Sequence, residues 1–169
     1  MDSTLLRLYV ERAPGFDQEN ETLRETLRRD LHLRLEGVRR YRRYDIENGR
    51  ALRHDPRFLS IFAEPQSDIV TRDVLARDAR DWILAVEPLP GQYDQRADSC
   101  SQCIELVSGM RPLVKTADVY LFKGELSDED KDALRHYLIN PVESRKAALS
   151  MPKTLEDAAP EIGPVSVLE

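Results

Sequence analysis

Short apolar and mixed runs alternate with helical periodicity along this chain, and the order repeats. Leu5 to Glu11 is rich in β-formers and predicts a strand. Pro14-Gly15 punctuates it as a turn. Asp17 then stands where an N-cap belongs, and Leu23, Leu27 and Leu31 recur at i, i+4, i+8, the apolar face of a helix. A second strand is predicted from about Leu35 to Ile46. Asp55-Pro56 fits a cap followed by proline at the first helical position, with Phe58, Leu59 and Phe62 as the buried face. A short strand near Ile69 to Val74 closes the run. The same order follows again: a strand at Trp82 to Val86 and a helix capped by Asp94, carrying Ala97, Cys100, Ile104 and Val107. A strand over Leu113–Phe122 comes next, then a helix opened by Ser127-Asp128-Glu129-Asp130, with Leu134, Tyr137 and Leu138 facing inward and Asn140-Pro141 ending it.

The two runs match in register. Leu8-Tyr9-Val10-Glu11 reappears 76 residues later as Leu84-Ala85-Val86-Glu87, and Pro14-Gly15-Phe16-Asp17-Gln18 as Pro90-Gly91 with Tyr93-Asp94-Gln95, after one inserted residue, Gln92. Leu23 then corresponds to Cys100, Leu27 to Ile104, Val38 to Val114 and Tyr44 to Tyr120. Self-similarity at a fixed offset means one supersecondary unit used twice. The expected fold is α+β: two tandem units, 1–78 and 79–149, forming a pseudo-dimer whose antiparallel or mixed sheet carries helices on one face. Units of this size are weak alone, so the two are expected to bury each other's sheet faces back to back. Residues 150–169, with Pro152, Pro160 and Pro164 and no aromatic residue, read as a linker toward further domains, with Leu168-Glu169 either native or a cloning remnant.

Composition narrows the function. With 41% hydrophobic and 33% charged residues the chain can build a core and stay in solution. No apolar run approaches the length of a membrane span, and Met1-Asp2-Ser3 does not start a signal peptide. Two cysteines and no export signal suggest a reducing, cytoplasmic compartment. A net charge of −6 argues against an extended nucleic-acid footprint.

Candidate chemistry is sparse. Cys100-Ser101-Gln102-Cys103 has C-x-x-C spacing, but it lies inside the predicted helix rather than at its start, where the dipole would activate a thiol. No second pair completes a zinc site, so both cysteines read as buried helix residues. His32, His54 and His136 are scattered without ligand spacing. Arg39-Arg40-Tyr41-Arg42-Arg43-Tyr44 is the one basic cluster. Strand alternation puts Arg39, Tyr41 and Arg43 on one face and Arg40, Arg42 and Tyr44 on the other. Arg39 and Arg43 are candidate anion contacts, and the alternative function is a stand-alone anion- or nucleic-acid-binding module built on this strand. No glycine-rich phosphate loop, nucleophile elbow or acid/base pair is present, so no catalytic, cofactor or metal residue is nominated. The densest polar stretch, Gln92 to Ser99, sits at a turn and a helix start.

Several segments resemble a known family. Leu89-Pro90-Gly91-Gln92-Tyr93-Asp94-Gln95-Arg96-Ala97-Asp98-Ser99 is similar to a signature near the start of single-chain phosphoribosylformylglycinamidine synthase. Val10-Glu11 with Pro14-Gly15-Phe16-Asp17, Arg43-Tyr44-Asp45, Val114-Lys115-Thr116-Ala117 and Asn140-Pro141-Val142-Glu143-Ser144-Arg145 follow in the family's order. That family forms an amidine in purine synthesis, using ATP, magnesium and ammonia from glutamine. The resemblance implies a tandem pair of PurS-like units that bridges the synthetase and glutaminase domains. Those two domains would be the partners, and they hold the catalytic groups, ATP and magnesium. The segments of those domains are absent here, so the chain reads as a fragment or split subunit, non-catalytic alone, and Cys100 and Cys103 are not the glutaminase nucleophile. Gln92, Arg96, Asp98, Asn140, Glu143 and Arg145 are the expected docking residues.

Overall fold

The computed structural model describes residues 5–52, 55–152 and 155. His54, the amino-terminal Met1-Asp2-Ser3 and the tail beyond Leu155, with Leu168-Glu169, lie outside the described residues. The first unit contributes β1 (Leu6–Arg12), α1 (Gln18–Leu31), β2 (Gly37–Ile46), α2 (Pro56–Leu59) and β3 (Asp68–Arg72). The second contributes β4 (Trp82–Pro88), α3 (Gln95–Ser108), β5 (Val114–Lys123), α4 (Asp128–Leu138) and β6 (Ser144–Lys146).

The fold is α+β. Among the described residues six strands join in one sheet of order β3-β1-β2-β5-β4-β6, and every neighbouring pair is antiparallel. The units therefore meet edge to edge through β2 and β5, and the expected back-to-back packing is corrected. This seam runs from Gly37 opposite Lys123 to Ile46 opposite Val114. At its centre Arg42 faces Asp118, and these two residues are each other's counterparts at the 76-residue offset. A local two-fold axis thus passes between them.

Every second strand residue points to the helical face. There α1 and α3 straddle the seam between the units. Leu27 of α1 and Leu134 of α4 pack with Leu84, Val86, Tyr120 and Phe122 of the second unit's strands and with Val38 of β2. Cys100 and Ile104 of α3, with Phe58 and Phe62, pack on Leu6, Leu8, Val10, Tyr44 and Ile46, the first unit's strands. Burial of this kind contributes about 1.5–3 kcal/mol per large apolar side chain. Each core combines helical side chains from both units.

Among the described residues no helix covers the opposite face, yet its apolar side chains are buried. Tyr9, Tyr41, Ala85, Val119 and Leu121 form its core together with Ala147, and Leu75 packs against them. The chain after β6 is strapped across this face. Ala147 N–H donates to the Ala85 carbonyl at 2.8 Å. Arg43 Nη1 donates to the Ala148 carbonyl and Arg7 Nη1 to the Leu149 carbonyl, both at 2.8 Å. Leu155 N–H reaches Glu47 Oε2 at 2.7 Å. Arg7 is itself fully buried and holds Asp45 with two parallel bonds of 2.7 and 2.8 Å.

Other expectations need correction. Tyr137 is 44% exposed rather than inward-facing, and Cys103 is exposed while Cys100 is buried. Asp17 makes no side-chain bond to α1; its carboxylate accepts from the Gly15 N–H instead. Asp55 and Asp94 do cap α2 and α3, and Ser127 with Asp130 forms a full capping box on α4. Among the described residues no helix is long and apolar enough to cross a membrane.

Candidate functional site

The turn before α3 starts the site. Leu89-Pro90-Gly91-Gln92 closes with Gln92 N–H on the Leu89 carbonyl at 3.0 Å, and Gly91 takes φ of 90°, which a side chain would resist. Asp94 follows and works in two directions. One oxygen caps α3 by accepting from Ala97 N–H at 2.9 Å; the other accepts from the Thr116 hydroxyl at 2.7 Å and its N–H at 3.2 Å. The carboxylate therefore pins the start of α3 near the start of β5, at Thr116. One residue into the turn of helix beyond it, Arg96 reaches Asp118 Oδ1 at 3.2 Å.

The other wall comes from the turn after α4. Asn140 Oδ1 accepts from Val142 N–H, its amide donates to Glu143 Oε1 at 3.0 Å, and its carbonyl accepts from the Glu143 N–H. This turn is tied back to the first wall by Leu89 N–H on the Glu143 carbonyl at 3.0 Å. Between the walls lies a cleft of about 750 Å³, floored by Val86, Tyr120 and Leu138. Burial pushes the Tyr120 phenol above its ordinary pKa.

Four of the six expected docking residues, Gln92, Arg96, Asn140 and Glu143, line this one cleft. The other two lie beside it. Arg145 is paired with Glu87 at 2.7 Å. Asp98 accepts from the Tyr93 hydroxyl, Gln102 and Arg111, holding the loop after α3 against its start. Sequence reasoning did not pick out Asp118 or Tyr120 as part of the site. The alternation of β5 carried the signal, because it puts a charged residue, Asp118, on the face that packs helices.

The two candidate anion contacts lie on the strapped face. Arg39 binds Glu11 through two bonds of 2.6 and 3.1 Å. Arg43 is buried beside Arg7 and Asp45, and burial first, then the Arg7 charge, pushes its pKa down. Among the described residues no group of three acidic, histidine or cysteine side chains is placed to hold a metal.

The internal symmetry supplies a sister cleft of about 630 Å³ in the first unit, lined by Arg12, Glu19, Arg40, Arg42, Glu64 and Asp68 among others. The two clefts adjoin: Arg96 and Asp118 line both. In the sister cleft Phe62 replaces Leu138 and stacks edge-on with Tyr44 and Phe58, each at 5.0 Å between centroids. Comparison with protein-family models, curated proteins and solved structures returns no match.

Proposed function

We propose that this chain is an assembly domain: the PurS-like bridge of a phosphoribosylformylglycinamidine synthase, docking the synthetase and glutaminase parts without contributing catalytic groups. One observation carries the reading. Residues 89–99, 114–117 and 140–145, far apart in sequence, are three of the segments that resemble the family, and all three converge on the cleft of the second unit. A resemblance confined to buried positions would reflect packing; this one also covers exposed polar side chains on one concave surface. The duplicated, two-fold-related fold is what a tandem pair imitating a dimer requires.

Reconstitution tests it. The remainder of such a synthase, expressed without its own domain of this kind, is mixed with this chain, and glutamine-dependent amidine formation is followed. Activity that needs both components, and docking weakened by Arg96→Ala in a still-folded variant, are the expected results. A chain that neither binds the remainder nor restores activity contradicts the assignment.

A further inference from the structure

We infer that the seam between the units is specific for unlike partners: the β2 edge of a first unit fits the β5 edge of a second unit and rejects a copy of itself. Each face of the sheet supplies an independent observation. The local two-fold axis passes between Arg42 and Asp118, so pairing of like units about that axis would set each of these residues against its own copy. On the helical face the opposed residues carry opposite charges. Arg42 stands directly across from Asp118, at the spacing where cross-strand side chains interact. The helix starts carry the same alternation with the signs exchanged. Arg96 of α3 reaches Asp118 at 3.2 Å, while Glu19, at the related place in α1, stands 3.8 Å from Arg40. In a pair of first units Arg42 would oppose Arg42, with the Arg40 of each unit on the same face. In a pair of second units Asp118 would oppose Asp118. Like charges directly opposed across a ladder are destabilising.

On the strapped face the fit is one of volume. Buried Arg43 lies across from Ala117 and buried Tyr41 across from Val119, a large side chain against a smaller one each time. By the 76-residue offset, Ala117 is the counterpart of Tyr41 and Val119 the counterpart of Arg43. Two first units would therefore set Arg43 against Tyr41 twice, on a face where both must be covered, and overpack it. Two second units would set Ala117 against Val119 twice and leave the space unfilled. Charge and volume exclude the same pairings by unrelated means, so the chain closes on itself and does not join another copy first unit to first unit. This specificity is internal to the chain and holds whatever docks in the clefts.

The test follows urea unfolding of the full chain at low and at high salt. Arg42 is exposed and the Asp118 side chain is 40% exposed, so changes at either leave the cores intact. Asp118→Arg reproduces the contact of two first units. Asp118→Asn removes the bond to Arg96 without opposing like charges. At low salt Asp118→Arg is expected to unfold at lower urea than Asp118→Asn, with the gap shrinking as salt is added. Arg42→Asp in the Asp118→Arg background restores opposite charges and should recover about three- to tenfold in the folding equilibrium constant relative to Asp118→Arg alone. Ala117→Tyr crowds Arg43 as a first-unit copy would, and it is expected to lower the midpoint equally at both salts. Asp118→Arg as stable as Asp118→Asn, a double variant no more stable than Asp118→Arg, or a tolerated Ala117→Tyr overturns the inference.

Discussion

The two units use the same backbone and fill it differently, most clearly on the strapped face. Where the first unit has Arg7, Arg43 and Asp45, the second has Ile83, Val119 and Leu121 at the corresponding positions. One half of the face is a buried ion network closed by the carbonyls of Ala148 and Leu149; the other half is plain apolar packing. A sheet position fixes only that a side chain must be covered. Whether it is covered by oil or by satisfied charge depends on what crosses it. Only the first unit's half offers its arginines to the carbonyls of the strap. The same divergence separates the two clefts on the opposite face.

Breaking the ion network has the largest expected effect. Arg7→Ile leaves Asp45 buried with its two-bond partner gone and costs about 3–5 kcal/mol in urea unfolding. Converting all three charges to the second unit's residues, Arg7→Ile with Arg43→Val and Asp45→Leu, recovers most of that loss, because no charge of the network is then left buried. A triple variant as unstable as the single one would show that the strap, not the ion network, carries the energy.

The shared cores make a prediction about cooperativity. Ile104→Ala and Leu27→Ala, each removing a fully buried side chain at repeat-related positions, should each cost about 2–5 kcal/mol. Because each core combines helical side chains from both units, circular dichroism and Trp82 fluorescence should report one coincident transition in both variants. Two separated transitions would mean that the units have independent cores.

The caps sharpen the comparison at smaller scale. Asp94→Ala removes a helix cap and the link to Thr116, costing about 1–2 kcal/mol. Asp17→Ala at the related position removes a bond to a turn N–H and should cost under about 0.5 kcal/mol by the same thermal-unfolding measurement.

The smallest effect concerns the cysteines. Burial pushes the Cys100 thiol up to about 12, with the Cys103 and Asp94 charges adding to it. Iodoacetamide at pH 8 should modify Cys103 and spare Cys100 until the chain unfolds. The neutral thiol is the form that the fold favours. Its contribution to stability is therefore complete below the ordinary thiol value of 9.0 and is lost as pH rises toward about 12. Equal labelling of both thiols in the native chain would contradict the burial of Cys100.

Much of this architecture was legible in the chain. The alternation of Leu6, Leu8 and Val10, the spacing of Leu23, Leu27 and Leu31 and the 76-residue echo are local signals, and they survive because both units must present one apolar face. The sharing of each core between the units was not legible, since periodicity says which face is buried and not whose strands bury it. β6 was missed because Ser144-Arg145-Lys146 is a three-residue edge strand without apolar alternation, although its counterpart β3 had been expected. The burial of Arg7 and Arg43 was hidden because their partners lie far along the chain, 38 residues away at Asp45 and more than 100 away in the strap. In the cleft, Gln92, Arg96, Asn140 and Glu143 came from resemblance, whereas Asp118 and Tyr120 needed the sheet register.

The most direct test of the account measures docking of this chain to a synthase remainder lacking its own domain of this kind, by calorimetry, for matched changes in the two clefts. Arg96→Ala with Glu143→Gln in one variant, against Glu19→Ala with Glu64→Gln in the other, changes the same number of side chains on related scaffolds. The account predicts that the first variant binds at least about tenfold more weakly while the second binds as the unaltered chain does. Equal affinities for both, or a loss confined to the first unit's variant, would contradict the claim that the second unit's cleft is the docking surface.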